Sequence, residues 1–187
     1  MQLTESDFFQ FARRYFVKNA FDGVLTILGI VMGSFLSKIQ EPSTILFVGI
    51  SACIGMGVSG MWGTFFTESA ERKRKLKTME DALLTRLDGT RIQRESRTKA
   101  FMLGCVDGFS PFLMAFLVMT PFIAALSGFI TMEIAYYYSF AFIGIALLLL
   151  GAMLGKISQE SMVKYALMIF SAGIVAGAIN LALTLLQ

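Results

Sequence analysis

Five stretches of this chain are long enough, and sufficiently free of charge, to cross a lipid bilayer. A membrane-spanning helix needs about 17–25 predominantly apolar residues. Of the 187 residues, 56% are hydrophobic and 16% are charged, which places the chain in the membrane class. The predicted fold class is therefore all-α, an integral, multi-pass membrane protein with five transmembrane helices. The predicted spans are residues 17–37, 43–66, 100–126, 134–155 and 165–186.

The positively charged residues predict how these spans are oriented. Fifteen of the sixteen lysines and arginines fall on the side of the membrane that holds the N-terminus, and only Lys38 falls on the other side. Cytoplasmic loops of membrane proteins carry an excess of Lys and Arg. We therefore expect a cytoplasmic N-terminus and a C-terminus outside. The net charge of +3 then reflects membrane orientation, and nucleic acid is not an expected partner.

The chain is predicted to divide into four parts. The first part has aromatic residues on one helical face and Arg13 and Arg14 opposite, which predicts an amphipathic helix lying on the inner leaflet. The charged segment after the second span stays helix-favouring until Asp88 and Gly89, which predict a turn. The parts are an interfacial helix (1–16), transmembrane helices one and two (17–66), a cytoplasmic helical hairpin (67–99) and transmembrane helices three to five (100–187).

An Asp-Gly pair occurs early in the first span and again early in the third. "FDGVLTILGIVMG" contains Asp22, and "GCVDGFSPF" contains Asp107. A charged aspartate at the centre of a membrane helix costs about 2.5–3.5 kcal/mol, and ionisable residues within spans usually line a pathway. We therefore interpret both as cation or proton sites. Pairing with a nearby arginine, or reaching the membrane surface, is the alternative interpretation.

Residues on the same helical faces extend this candidate pathway. Thr26 follows Asp22 at a spacing of four, and Met56 and Met61 in the second span offer thioether sulfur. Histidine is absent, so metal binding would need carboxylates, sulfur and backbone oxygens. Each methionine is equally compatible with ordinary packing. Small residues that predict close helix packing are Gly29, Gly33, Gly173 and Gly177.

Four carboxylates of the predicted hairpin are candidates for a cytoplasmic metal site. Glu68 and Glu71 are three residues apart on one helix face, Glu80 follows, and Glu95 lies on the returning helix. Carboxylates at this spacing are able to hold a hard or borderline cation. They are equally able to pair with neighbouring lysines and arginines along a solvated helix.

The order of these features resembles the vacuolar iron transporter family. The stretches that carry the resemblance are "FDGVLTILGIVMG", "IGMGVSGMWGTFFTESAERKR" and "LLGAMLGKISQESMVKYALMIFSAGIVAGAI". The resemblance implies a homodimeric carrier, not an enzyme, that moves ferrous iron or manganese out of the cytoplasm in exchange for protons. It implies that Asp22 is a pathway acid, that Met56 or Met61 is a thioether ligand, and that Glu68 and Glu71 begin a metal-collecting region. No tightly bound cofactor is expected, and the expected location is the cell membrane of a prokaryote.

Two other classes of function are compatible with the sequence. A structural or regulatory membrane protein would use the hairpin to dock a partner, and its aspartates would only orient helices. A metal-dependent enzyme acting on lipid headgroups would also hold intramembrane Asp-Gly pairs. Such enzymes place an arginine shortly after the pair and further aspartates on the next helix, and neither follows Asp22.

Overall fold

In a computed structural model that describes residues 5–86 and 90–184, this part of the chain forms five α-helices. All five are long and apolar enough to cross a membrane, and the prediction of an all-α fold is confirmed. The helices are α1 (Glu5–Leu36), α2 (Pro42–Leu83), α3 (Arg91–Leu126), α4 (Met132–Ile157) and α5 (Met162–Thr184).

Two of the helices are much longer than a bilayer requires. With a rise of about 1.5 Å per residue, α2 is about 63 Å long and α3 about 54 Å, against a hydrocarbon core of about 30 Å. Their excess lengths lie side by side, which is the arrangement that a helical hairpin requires. Thr90 caps the start of α3 by accepting a hydrogen bond from the backbone N–H of Gln93. The predicted turn at Asp88 and Gly89 lies outside the described residues.

The first four helices end in the same way, with a residue in the left-handed backbone conformation. These residues are Lys38, Leu84, Gly128 and Gln159, with φ angles between 50° and 75°. In each case the next residue donates its N–H back to a carbonyl of the final helical turn, which satisfies groups that helix ends leave unpaired. The connections that follow Lys38, Gly128 and Gln159 are short, so the helices they join run antiparallel.

Helix α3 lies at the centre of the bundle and packs against α1, α2 and α4. Its core residues include Val118 and Phe122, which are fully buried together with Val24 and Ile27 of α1. Helix α5 packs against α4 and α1 but is mostly exposed. Many outward-facing residues of the spans are large and apolar, as a lipid-facing surface requires.

A close contact between α4 and α5 depends on two glycines that the sequence analysis did not single out. On α4, a Cβ added to Gly151 would lie 2.5 Å from the Cα of Ala166, and one added to Gly155 would lie 2.7 Å from the Cα of Met162. These two glycines let α5 approach α4. A Cβ at Gly29 or Gly33 meets nothing within 4 Å, so residues 5–86 and 90–184 do not make the close packing predicted there.

The two glycines predicted to pack on α5 also differ from each other. Gly173 is buried, and a Cβ there would collide with the side chain of Leu147 on α4. Gly177 has only the Met32 methyl group nearby, at 4.0 Å. Gly173 therefore lies at a close helix contact, whereas Gly177 does not.

The predicted interfacial helix is not a separate element. Helix α1 runs without interruption from Glu5 to Leu36, so no break divides an amphipathic segment from the first span. Within its first turns Phe11 and Tyr15 are partly buried, whereas Arg13 and Arg14 are exposed, as the pattern predicted. The helix continues because residues 16–20 contain no glycine or proline to end it. Residues 1–4 of this predicted segment lie outside the described residues.

Candidate functional site

The two aspartates meet in one polar cavity enclosed by α1, α2 and α3. The cavity, which we call the aspartate cavity, has a volume of about 460 Å³. Its lining mixes carboxylates, hydroxyls, an amide, an ammonium and a thioether. The lining residues are Tyr15, Lys18, Asn19 and Asp22 of α1, Met56, Ser59, Gly60, Gly63, Thr64 and Thr67 of α2, and Asp107 and Pro111 of α3.

The glycine of each Asp-Gly pair explains why the aspartates come so close to neighbouring helices. A Cβ added to Gly23 would lie 2.8 Å from the Cα of Pro111, which places α1 directly against α3. A Cβ added to Gly108 would lie 2.5 Å from the carbonyl oxygen of Gly57, which places α3 against α2. The preceding aspartate in each pair lines the cavity. The Asp-Gly pattern therefore combines a polar side chain with a contact that only glycine permits.

The carboxylate of Asp107 is buried, with 5% of the residue exposed, and only one of its oxygens is satisfied. The hydroxyl of Thr64 donates a hydrogen bond of 2.5 Å to Oδ2. Oδ1 is buried and has no hydrogen-bond partner among the described residues. An unsatisfied buried polar atom costs about 1–3 kcal/mol, and more when it carries charge. A cation or a proton at Oδ1 would remove that cost.

The backbone of Asp107 is also unusual, because a proline lies one helical turn later. Pro111 has no N–H, so the carbonyl of Asp107 loses its usual partner within α3. The side-chain amide of Asn19 donates to that carbonyl instead, at 3.2 Å. Asn19 therefore links α1 to α3 at the cavity. The same arrangement recurs at Pro121, where the Thr120 hydroxyl donates to the carbonyl of Leu117 at 2.7 Å.

Two further charges act on Asp107. Asp22 and Lys18 both line the cavity, and both lie near enough to interact electrostatically with its carboxylate. Lys18 and Asp22 lie on successive turns of α1, and both are exposed, whereas Asp107 is buried. The cavity thus combines one buried carboxylate, one accessible carboxylate and one accessible ammonium group.

The structure distinguishes between the two methionines that the sequence left open. Met56 lines the aspartate cavity. Met61 instead packs against α3, where its Cβ would lie 2.8 Å from a Cβ added to Gly108. Thr26 does not line the cavity, and its hydroxyl donates to the backbone oxygen of Asp22 at 2.8 Å.

The four hairpin carboxylates do not converge on a common point. Glu68 pairs with Arg72 at 3.3 Å, Glu71 with Lys75 at 3.6 Å and Glu95 with Arg91 at 2.6 Å, each with a cation four residues away. Three of the four candidates therefore make the ion pairs that were the alternative interpretation, and Glu80 lies further along α2. Among the described residues, no group of three or more Cys, Asp and Glu side chains is placed to hold a metal ion.

Glu68 nevertheless lies beside the aspartate cavity. Tyr15, which lines the cavity, donates its hydroxyl to Oε1 of Glu68 at 2.8 Å. The Glu68 side chain is mostly buried, with 14% exposed, whereas Glu71 and Glu95 are far more exposed. Glu68 therefore marks the end of the cavity that faces the hairpin.

Sequence reasoning did not identify Asn19, Thr64 or Lys18. Two features of the sequence point to Asn19 and Thr64. Asn19 lies three residues before Asp22, and Thr64 lies eight after Met56, so each shares a helical face with a predicted residue. The Asp-x-x-x-Pro spacing at residues 107–111 also indicates a free carbonyl that needs a donor from another helix.

The fold and cavity define a multi-pass α-helical membrane protein whose spanning helices enclose a polar, carboxylate-containing cavity. No family model matches the chain, and no solved structure is similar to it. The chain is 29% identical over 173 residues to an uncharacterized protein of Methanocaldococcus jannaschii. That alignment covers 91% of this chain and 84% of the relative, so the two proteins are similar along almost their whole length.

Proposed function

We propose that this protein is a carrier for a divalent metal cation, Fe²⁺ or Mn²⁺, which it moves out of the cytoplasm in exchange for protons. The metal is transported cargo, and the protein is not an enzyme. In this proposal the N-terminus and the hairpin are cytoplasmic and the C-terminus is outside, in the cell membrane of a prokaryote. The aspartate cavity is where the cation binds.

The observation that carries this proposal is the unsatisfied Oδ1 of Asp107. Burying a charged oxygen without a partner is costly, and natural proteins rarely accept that cost without a functional reason. Thr64 holds the other carboxylate oxygen, and Asn19 holds the Asp107 backbone. These contacts orient the carboxylate, and its free oxygen remains available to a cation.

The other groups in the cavity suit a borderline divalent cation. The carboxylates of Asp22 and Asp107 are hard ligands, and the thioether of Met56 is a soft one. A mixed set of this kind favours Fe²⁺ or Mn²⁺ over Ca²⁺, which takes oxygen ligands only. Two carboxylates give a weaker site than three or four would, and a carrier must release its cargo.

Proton exchange follows from the same carboxylate. A proton and a metal cation are alternative occupants of the free oxygen of Asp107, because each neutralises the same charge. Metal binding therefore displaces a proton, and protonation from the other side releases the metal. Lys18 also competes with the metal for Asp107, because its ammonium group lines the cavity and attracts the same carboxylate.

We further propose that the carrier is a homodimer. Gly29 and Gly33 form a small-residue pair on α1, and a Cβ at either would meet no atom of the described residues within 4 Å. Such pairs let two membrane helices approach closely, so this face suits a second copy. Disulfide crosslinking of a Gly33→Cys variant, in a background without Cys53 and Cys105, tests this part of the proposal. An absence of crosslinked dimer in native membranes would contradict it.

Reconstituted liposomes test the proposed transport. Purified protein is inserted into liposomes that contain a metal-quenched dye, and Fe²⁺ or Mn²⁺ is added with and without a pH gradient. We expect metal entry to quench the dye. Quenching should be faster when the pH gradient drives protons in the direction opposite to metal movement. Asp22→Ala and Asp107→Ala should slow it. If both variants transport at the wild-type rate, or if the wild type carries no metal, the proposal is wrong.

A further inference from the structure

A second cavity lies where the extended part of α2 packs beside the start of α3. We call it the basic groove; its volume is about 720 Å³, and five cations line it. Glu80 is the single carboxylate among its described lining residues. The cations are Arg72, Lys73 and Lys77 of α2 and Arg94 and Arg97 of α3.

Arg72 is the most informative of these cations, because it is buried and poorly satisfied. The residue is 8% exposed. Its Nη2 lies 3.3 Å from Oε2 of Glu68, yet Nε and Nη2 have no hydrogen-bond partner among the described residues. The hydroxyl oxygen of Ser69 lines the same groove and is also buried without a partner. Both unsatisfied groups are hydrogen-bond donors, so they indicate an acceptor-rich ligand.

The chemistry of these donors favours phosphate. A guanidinium presents its N–H groups in a planar fork, which matches two oxygens of a phosphate group. A phosphate also supplies a further acceptor for the Ser69 hydroxyl. Its negative charge would relieve the repulsion among five cations that lie around one groove.

The position of the groove brings it close to the predicted membrane surface. Phe65 and Phe66 line one end of the groove. Trp62 stacks on Phe66 with ring centroids 5.5 Å apart, and Phe65 meets Phe101 edge to face at 6.2 Å. Trp62 and Phe66 are exposed, and exposed aromatic side chains next to basic residues are typical of the membrane–water interface. Lipid headgroups carry their phosphates at this level.

We propose that the basic groove binds a phosphate group, held by Arg72, Ser69 and the cations of α2 and α3 that face them. The anion has two possible sources, the headgroup of an anionic phospholipid and free phosphate from solution. This site is separate from metal transport, and neither proposal depends on the other.

Lipid binding to the purified protein tests the groove. Native mass spectrometry compares retention of phosphatidylglycerol with that of phosphatidylcholine in wild type and two double variants. Arg94→Gln/Arg97→Gln removes two groove cations. Arg74→Gln/Arg91→Gln is the control, because it removes the same amount of charge at two residues of α2 and α3 that do not line the groove. We expect the first to lose roughly fivefold or more in phosphatidylglycerol affinity and the control to lose much less.

Inorganic phosphate identifies the source of the anion. If millimolar phosphate raises the unfolding temperature and displaces phosphatidylglycerol, free phosphate is sufficient. If only the lipid binds, the headgroup is the ligand. Ser69→Ala provides a second variant that should fold, because it removes a buried hydroxyl that lacks a partner. It should weaken binding as well. Equal losses in both double variants, unchanged binding in Ser69→Ala, or no binding of either probe would overturn the proposal.

Discussion

The aspartate cavity and the basic groove are neighbours on α2 that carry opposite charge. Each contains one buried ionisable side chain with atoms that have no hydrogen-bond partner among the described residues, Asp107 in the cavity and Arg72 in the groove. In the cavity the unsatisfied atom is an acceptor, so the missing partner is a cation or a proton. In the groove the unsatisfied atoms are donors, so the missing partner is an anion. The sign of the buried charge therefore predicts the ligand class in each case.

The two regions also differ in how they are built. The cavity depends on close approach of three helices, which glycines at the Asp-Gly pairs permit. The groove depends on long side chains projecting from two helices beyond the apolar spans. Glu68 stands between them, since it accepts from Tyr15 on the cavity side and pairs with Arg72 on the groove side. Apart from Glu68, the two regions use different residues. A substitution in one region should therefore change the binding of its own ligand and leave the binding of the other ligand unchanged.

The largest effect is expected from Asp107→Asn. The amide keeps the shape of the carboxylate and an acceptor for Thr64, but it removes the charge that attracts a cation. We expect metal uptake by liposomes to fall about tenfold or more, the consequence of losing roughly 1.4 kcal/mol of attraction. The unfolding temperature should not fall, because an unpaired buried charge is removed.

Asp81→Asn is the control for this prediction, because Asp81 is exposed on α2 and lines neither region. It should leave uptake and stability unchanged. A variant Asp107→Asn that transports normally but unfolds more easily would mean that Asp107 has a structural role.

The next largest effect should come from filling the cavity. A Cβ at Gly60 would lie 3.1 Å from the amide nitrogen of Asn19 and 3.4 Å from Oδ2 of Asp107. Gly60→Ala should therefore slow uptake several-fold by narrowing the space beside the carboxylate. Gly55→Ala is the matched control, because Gly55 lies on the same helix outside the cavity and a Cβ there meets nothing within 4 Å. Equal transport rates in the two variants would show that the cation does not pass this point.

A smaller effect is expected from removing the thioether. Met56→Leu keeps the side-chain volume but removes the sulfur, so it should raise the KM for Fe²⁺ or Mn²⁺ a few-fold. Met61→Leu should leave the KM unchanged, because Met61 packs against α3 outside the cavity. Initial uptake rates over a range of metal concentrations measure both values. The reverse order of effects would place the metal elsewhere on α2.

The smallest effect on transport should come from Asn19→Ala. The alanine leaves the carbonyl of Asp107 without a donor, which should lower the free energy of unfolding by about 1 kcal/mol. Thr120→Ala removes the corresponding donor at Pro121, where Thr120 is partly exposed and water is available as a replacement. Thr120→Ala should therefore lower the free energy of unfolding by less than Asn19→Ala does. Chemical denaturation in detergent compares the two variants.

The sequence predicted the five helices well because hydropathy alone identifies spans. It also predicted that α2 continues beyond its span, because the charged segment that follows remains helix-favouring. Of the glycines predicted to pack closely, Gly173 does so, whereas Gly29, Gly33 and Gly177 do not among the described residues. Gly29-x-x-x-Gly33 and Gly151-x-x-x-Gly155 have the same pattern, and only the shape of the neighbouring helix determines which pair is used.

The roles of single polar residues were harder to predict. Asn19 looks like an ordinary polar residue at the start of a span, and its partner lies 88 residues away. Arg72 belongs to a run of four basic residues that reads as a solvated face, yet it is buried whereas the next three are exposed. Contacts between distant parts of a chain determine both cases, and helical periodicity carries no information about them.

Direct binding of Mn²⁺ to the purified protein tests the central claim, that the aspartate cavity holds a divalent cation. Electron paramagnetic resonance of Mn²⁺ separates free from bound metal in detergent or nanodiscs without any need for transport. We predict that the wild type binds Mn²⁺, that Asp107→Asn and Asp22→Asn each reduce the bound fraction, and that Asp81→Asn does not. Undiminished binding in both cavity variants would contradict the account, as would a wild-type protein that binds no Mn²⁺.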